Sequence, residues 1–166
     1  AFGWIGQEKQ PSTEYFENLL FENLIKLDPN LPTWVEDESK SIGTVFVPQQ
    51  FHLQMGLSAT ISVEVAFETR VKRLVLDYTN CNPDDLIQSV NRISKRLGLD
   101  KAKHCIDLIN QKKFDEAIAI SLAYYDKTYQ YGLENKKNKP VIVKLSDDID
   151  ENTENLLKQK VLLENI

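Results

Sequence analysis

A chain of 166 residues and 19.1 kDa has enough length to bury one real core, and a second full domain would be cramped. Hydrophobic residues make up 42% and charged residues 27%, and no apolar run approaches the length a bilayer span needs, so the composition is that of a soluble globular protein without a membrane segment. The net charge of -5 excludes general attraction to nucleic acid and leaves RNA contact to a local basic patch.

The opening Ala1-Phe2-Gly3-Trp4-Ile5-Gly6 has neither an initiator Met nor a basic lead into an apolar run. It is not a signal peptide and reads as a loop inside something longer. Ser12 and Thr13 are good N-caps, Glu14 and Glu17 suit the positive end of a helix dipole, and Phe16, Leu19, Leu20, Leu24 and Leu27 recur at helical spacing until Asp28-Pro29-Asn30 stops the helix. Thr33-Trp34-Val35 is expected to be a short buried strand running into Glu36-Asp37-Glu38. Thr44 to Val47 reads as a second extended piece, followed by a small helix through Phe51 to Met55.

Thr60 to Ala66 alternates with period two, as a half-buried strand does, and leads directly into a helix from Phe67 to Tyr78. Three further helices are expected from Pro83 to Leu97, about Lys101 to Gln111, and Phe114 to about Leu133. Leu86, Val90, Ile93 and Leu97 form the apolar side of the first of these. Val141-Ile142-Val143 resumes a strand, and Asn152 to Leu163 reads as a last amphipathic helix. Strand and helix alternating with short connections is the α/β signature.

Glu36, Asp37 and Glu38 form an acidic cluster at an expected strand end, where open α/β sheets bind ligands and a carboxylate can hold Mg²⁺ or position water beside a phosphate. Three consecutive acids also occur as a plain solvated turn. Arg70 and Arg73 lie three apart on one helix face, and Arg92, Lys95 and Arg96 share another. Such groups suit phosphate oxygens, and they equally make an ordinary solvated helix face. His52 and His104 have no Ser or Cys nucleophile near them in sequence. Tyr124, Tyr125, Tyr129 and Tyr131 can stack on bases, although tyrosines at helical spacing more often fill a core. Cys81 and Cys105 have no CxxC or zinc spacing and fit plain thiols in a reducing, cytoplasmic compartment. None of the six glycines is followed by Lys, so the chain contains no G-x-x-x-x-G-K-[ST] phosphate loop.

The run Gln10-Pro11-Ser12 to Phe16-Glu17-Asn18, then Trp34-Val35-Glu36-Asp37-Glu38-Ser39 with Lys40, then Ile42-Gly43 and Pro48, resembles the tRNA 2-selenouridine synthases. Ala1-Phe2-Gly3 resembles the tail of the loop that precedes these motifs in that family, and the stretch from Ile61 to Tyr78 also fits. The resemblance implies an enzyme with a rhodanese-like domain and a P-loop domain. Its members exchange sulfur for selenium on wobble 2-thiouridine of tRNA through an S-geranylated intermediate, using selenophosphate. It implies selenophosphate and geranyl diphosphate as the parent's small molecules, leaves a Mg²⁺-bound nucleotide open, and implies no cofactor held by this chain alone. The chain departs from the family in lacking both the rhodanese Cys loop and the P-loop, which would precede it, so this piece alone is expected to be inactive. Asp37 with Glu36 or Glu38 is then expected in a Walker-B-like role, and Arg70, Arg73, Arg92, Lys95 and Arg96 in contact with phosphate or tRNA backbone.

The expected architecture is α/β: the later part of a P-loop NTPase-like three-layer sheet with a helical, lid-like insertion. Residues 1–80 and 136–166 would form the α/β portion and 81–135 the insertion. Partners implied are tRNA, the rhodanese-like and P-loop segments of the same protein, no membrane, and a homodimer covering the exposed sheet. A P-loop kinase-like phosphotransferase, and a non-catalytic module for RNA binding or oligomerisation, are the alternative readings.

Overall fold

The structure is a computed structural model that describes residues 2, 3, 5–37, 39–136, 138–146 and 152. It divides into two compact units, one of Glu8–Thr60 and one of Ala1–Gln7 with Ile61–Ile166. Within the larger unit the helices after residue 81 share one apolar core with the helix before it.

In the smaller unit, α1 (Thr13–Leu24) starts where Ser12 caps it, the Ser12 Oγ accepting from the Tyr15 backbone N–H at 3.2 Å. None of its residues is fully buried: of the expected apolar stripe, Phe16, Leu20 and Leu24 are half-buried and Leu19 and Leu27 exposed. A tight hairpin of β1 (Ser41–Ile42) and β2 (Val45–Phe46) follows, paired antiparallel through Ile42 and Val45. Gly43 makes its turn at φ +62°, a left-handed conformation that L side chains adopt at a cost. Gln10 fastens the turn: its Nε2 donates to Ile42 O at 2.9 Å and its Oε1 accepts from Thr44 N at 2.8 Å. Val45 and Val47 are buried, and α2 (Gln49–Leu57) follows.

The expected strand at Thr33-Trp34-Val35 does not form. Residues 32–37 have no regular structure, and Trp34 and Val35 are 56% and 48% exposed. A strand is held by a neighbouring strand, and no described strand pairs with this segment.

The larger unit begins with β3 (Ile61–Glu64) and α3 (Phe67–Tyr78), and continues through α4 (Pro83–Leu97), α5 (Leu99–Asn110) and α6 (Phe114–Glu134) to β4 (Val141–Lys144). β4 returns parallel to β3 in the register Ile61↔Val141 to Glu64↔Lys144. A parallel return requires a long crossover, and here four helices supply it. The described strands thus make two separate two-stranded sheets in a mixed helix and strand chain, which is α/β in the coarse sense.

Local chemistry explains the helix limits. Asn82 caps α4 through its Oδ1, which accepts from Asp84 N at 3.1 Å, Pro83 stands in the first turn, and Gly98 ends the helix at φ +98°. Between α5 and α6 the chain closes with Lys112 N donating to Ile109 O and Lys113 N to Leu108 O, while Lys112 sits at φ 60°. That pair of bonds is a Schellman closure, whose left-handed position usually holds Gly. The core is built from Leu86, Val90 and Leu97 of α4, Ala102, Cys105, Leu108 and Ile109 of α5, and Ala117 and Ile118 of α6. Val71, Leu74, Val75 and Tyr78 of α3 pack against it, as their helical spacing requires. The helix expected from Asn152 to Leu163 lies outside the described residues apart from Asn152, whose side chain brackets the exit of β4 by bonds to Ser146 N (2.8 Å) and Ser146 O (2.7 Å).

Candidate functional site

The larger unit holds a cavity of about 1100 Å³. It runs along β3, with Arg70 and Tyr78 contributed by α3 and Leu122, Tyr125, Asp126 and Tyr129 by α6. Because α6 is helical, residues 122, 125, 126 and 129 recur at three- and four-residue spacing and present one continuous face.

Arg70 and Asp126 are the polar centre of this wall. The guanidinium donates to both carboxylate oxygens, at 2.6 and 2.8 Å, and its Nε donates to Val65 O at 3.1 Å. It also lies 5.7 Å from the Phe67 ring centroid, within cation–π range. Asp126, chiefly by accepting these hydrogen bonds and further by its charge, holds the Arg70 guanidinium above its ordinary value, against the opposing pull of burial. The fork is therefore engaged by a carboxylate inside the protein.

The tyrosines divide. Tyr124 packs against the core as aromatic residues at helical spacing usually do, while Tyr129 and Tyr131 are exposed. Tyr125 meets Tyr124 edge-on at 5.6 Å and Tyr129 at 6.4 Å between centroids. Burial is the main cause that pushes the Tyr125 phenol above its ordinary value, and Arg96 of α4 lies near enough for its charge to act the other way. Tyr78 is raised as well, first by burial and then by the charge of Asp77.

Arg92, Lys95 and Arg96 stand exposed on α4, and Arg73 stands exposed on α3. Lys95 and Arg96 occupy the last turn of α4, where cations also complement the helix dipole. In the other unit Glu36 and Asp37 are exposed in the irregular segment 32–37, and Glu38 lies outside the described residues. No group of three or more His, Cys, Asp or Glu placed to hold a metal occurs among the described residues. His104 is exposed on α5 and His52 is half-buried on α2. Cys105 is wholly buried, its Sγ donating to Ala117 O at 3.3 Å, and burial pushes its thiol up, which makes it an inert core thiol. Cys81 is half-buried and also a free thiol.

Reading the residues in chain order misses the cavity. Its two defining residues, Arg70 and Asp126, are 56 positions apart, and the only local signal was the tyrosine spacing on α6.

A parallel strand pair joined through four helices, with a tyrosine-lined cavity beside that crossover, makes an α/β arrangement in the coarse sense. The chain belongs to the tRNA 2-selenouridine synthase AAA domain family, which it matches over residues 1–160. It is 29% identical to a tRNA 2-selenouridine synthase of Pseudomonas syringae pv. tomato, over 76% of this chain and 43% of that protein. It is 24% identical to a tRNA 2-selenouridine synthase of Proteus mirabilis, over 87% of this chain and 48% of that protein. The chain spans less than half the length of these curated relatives. No solved structure matches it. No helix among the described residues is long and apolar enough to cross a membrane.

Proposed function

We propose that this chain is the tRNA-gripping part of an enzyme that replaces sulfur by selenium in wobble 2-thiouridine, with α4 as its phosphate-contacting element. The observation that carries the reading is the exposure of Arg92, Lys95 and Arg96 together on one helix of a chain belonging to this family. Three cations on a rigid helix present fixed charges to a phosphate backbone, and each contact releases condensed counterions. Arg73, exposed on α3, is a further candidate for the same backbone.

The transferase chemistry, with selenophosphate and an S-geranylated intermediate, belongs in this proposal to the longer protein. The P-loop sheet and the rhodanese-like domain are assigned there too, and β3 with β4 would be two neighbouring strands of that sheet. Glu36, Asp37 and Glu38 are proposed to serve as its Walker-B-like acids, on the strength of their sequence context alone.

The test is binding of 2-thiouridine tRNA to the chain over a salt series. The wild type is expected to show a steep fall with salt, and R92A/K95A/R96A a slope shallower by about one unit per lost phosphate contact. Equal slopes for the two would remove α4 from the reading. Salt-dependent binding with no selenium transfer by the longer protein would favour a non-catalytic RNA-binding role instead.

A further inference from the structure

We propose that the cavity between β3 and α6 is a pocket for one unstacked, uncharged heterocyclic base of an RNA, with Tyr125 and Tyr129 as the stacking surface and the Arg70–Asp126 pair as the wall that reads its edge. The proposal rests on the reading of the chain as tRNA-binding and assigns that reading a second, chemically different site.

Size admits this ligand. Ligand cavities run to about 1,000 Å³, and this one is about 1100 Å³, room for a base with its ribose. Charge selects against a phosphate. Arg70 and Lys139 line the cavity together with Glu64, Asp126 and Glu134, so acids are at least as numerous as bases and a polyanion finds no net attraction. The exposed cations on α4 are the contrasting surface, fit for phosphates and not for bases.

The wall has the right pattern for a neutral ring. Arg70 has five N–H groups; three are used, two by Asp126 and one by Val65 O, which leaves two donors on a guanidinium held rigidly in place. The Asp126 oxygens accept one hydrogen bond each from Arg70 and keep further lone pairs. A donor and an acceptor held side by side complement an O=C–N–H edge, the edge a pyrimidine such as uracil or its 2-thio form presents. Flat faces stand beside it, since Tyr125 and Tyr129 lie 6.4 Å apart at 37° on consecutive turns of α6. RNA bases taken out of the stack are held in this manner, between aromatic faces and edge hydrogen bonds.

The experiment compares a stem-loop RNA carrying one loop uridine with the same RNA abasic at that position, at fixed salt. The wild type should lose about tenfold in affinity for the abasic RNA, the scale of one base–aromatic stack. Y125A/Y129A should bind both RNAs equally weakly, Y125F/Y129F should keep the discrimination, and the salt slope should stay unchanged in both. Tyr129→Ala alone, at a 56% exposed position, guards against a folding artefact. Equal binding of the two RNAs by the wild type, or discrimination retained in Y125A/Y129A, overturns the pocket.

Free uridine with NMR detection of the Tyr125 and Tyr129 ring protons separates this proposal from the one it rests on. Ring contacts with uridine in a chain that shows no salt-dependent RNA binding would keep the pocket and sink the tRNA reading. Salt-dependent RNA binding without ring contacts would do the reverse. Hydrogen exchange around Val63 that slows as protein concentration rises, with no uridine contact, would show a second copy in the cavity and also overturn the pocket.

Discussion

Lys112 carries the clearest stored cost at the scale of one residue. Its φ of 60° closes α5 against α6, and the bonds from its own N–H to Ile109 O and from Lys113 N–H to Leu108 O require that conformation. A residue with a Cβ adopts it at a cost of roughly 1–2 kcal/mol, which glycine avoids while losing some backbone entropy. Lys112→Gly is therefore expected to stabilise the larger unit by about 1 kcal/mol, read as a higher urea midpoint with unchanged slope. A lower midpoint would mean that the Lys112 stem contributes packing that outweighs the backbone gain. Gly43 is the opposite case: at its φ of +62° a Cβ would be strained and would displace the Gln10 amide that fastens the turn, so the residue already present is the one the turn needs.

Elements differ in how far their limits could be read in advance, and the reason is the range of the forces that set them. α3 and α4 begin and end where expected, because Asn82, Pro83 and Gly98 act on their immediate neighbours and the apolar spacing of Leu86, Val90 and Leu97 is a property of the helix itself. The strand expected at Trp34 fails because a strand needs a partner that local sequence cannot supply. The β1–β2 hairpin was only half anticipated, since strands of two residues carry no alternation to detect. The Arg70–Asp126 link between α3 and α6 was wholly hidden for the same reason of range. Its strength belongs to this scale. The side chains are 33% and 39% exposed, so solvent screens the pair, and a double-mutant cycle of R70A and D126A should give a coupling of about 1 kcal/mol or less. A coupling well above that would show a drier environment than these exposures imply.

Across the whole molecule, stability should be uneven, because burial is. The α4–α5–α6 core holds the fully covered side chains, among them Val90 and Cys105 at 0% exposure. The parallel pair β3–β4 is different. Parallel sheets are normally covered on both faces, and a lone two-stranded pair is marginal in water. Here Val63 and Ile142 stand 49% and 58% exposed, and the register places them on opposite faces. In the smaller unit, buried apolar side chains among the described residues come down to Val45 and Val47. Native-state hydrogen exchange should therefore protect the amides of α4 and α5 most, through global unfolding, and release those of β3, β4 and residues 8–60 earlier, through local opening. The homodimer expected from the sequence makes a distinct prediction in the same experiment. A second copy pairing with the strands would slow exchange in β3 and β4 as concentration rises, while leaving α4 and α5 unaffected, and the sedimentation coefficient would rise in parallel. Fast exchange in the strands at every concentration, with a monomer in the centrifuge, would instead leave their covering to the longer polypeptide in which the family carries this domain.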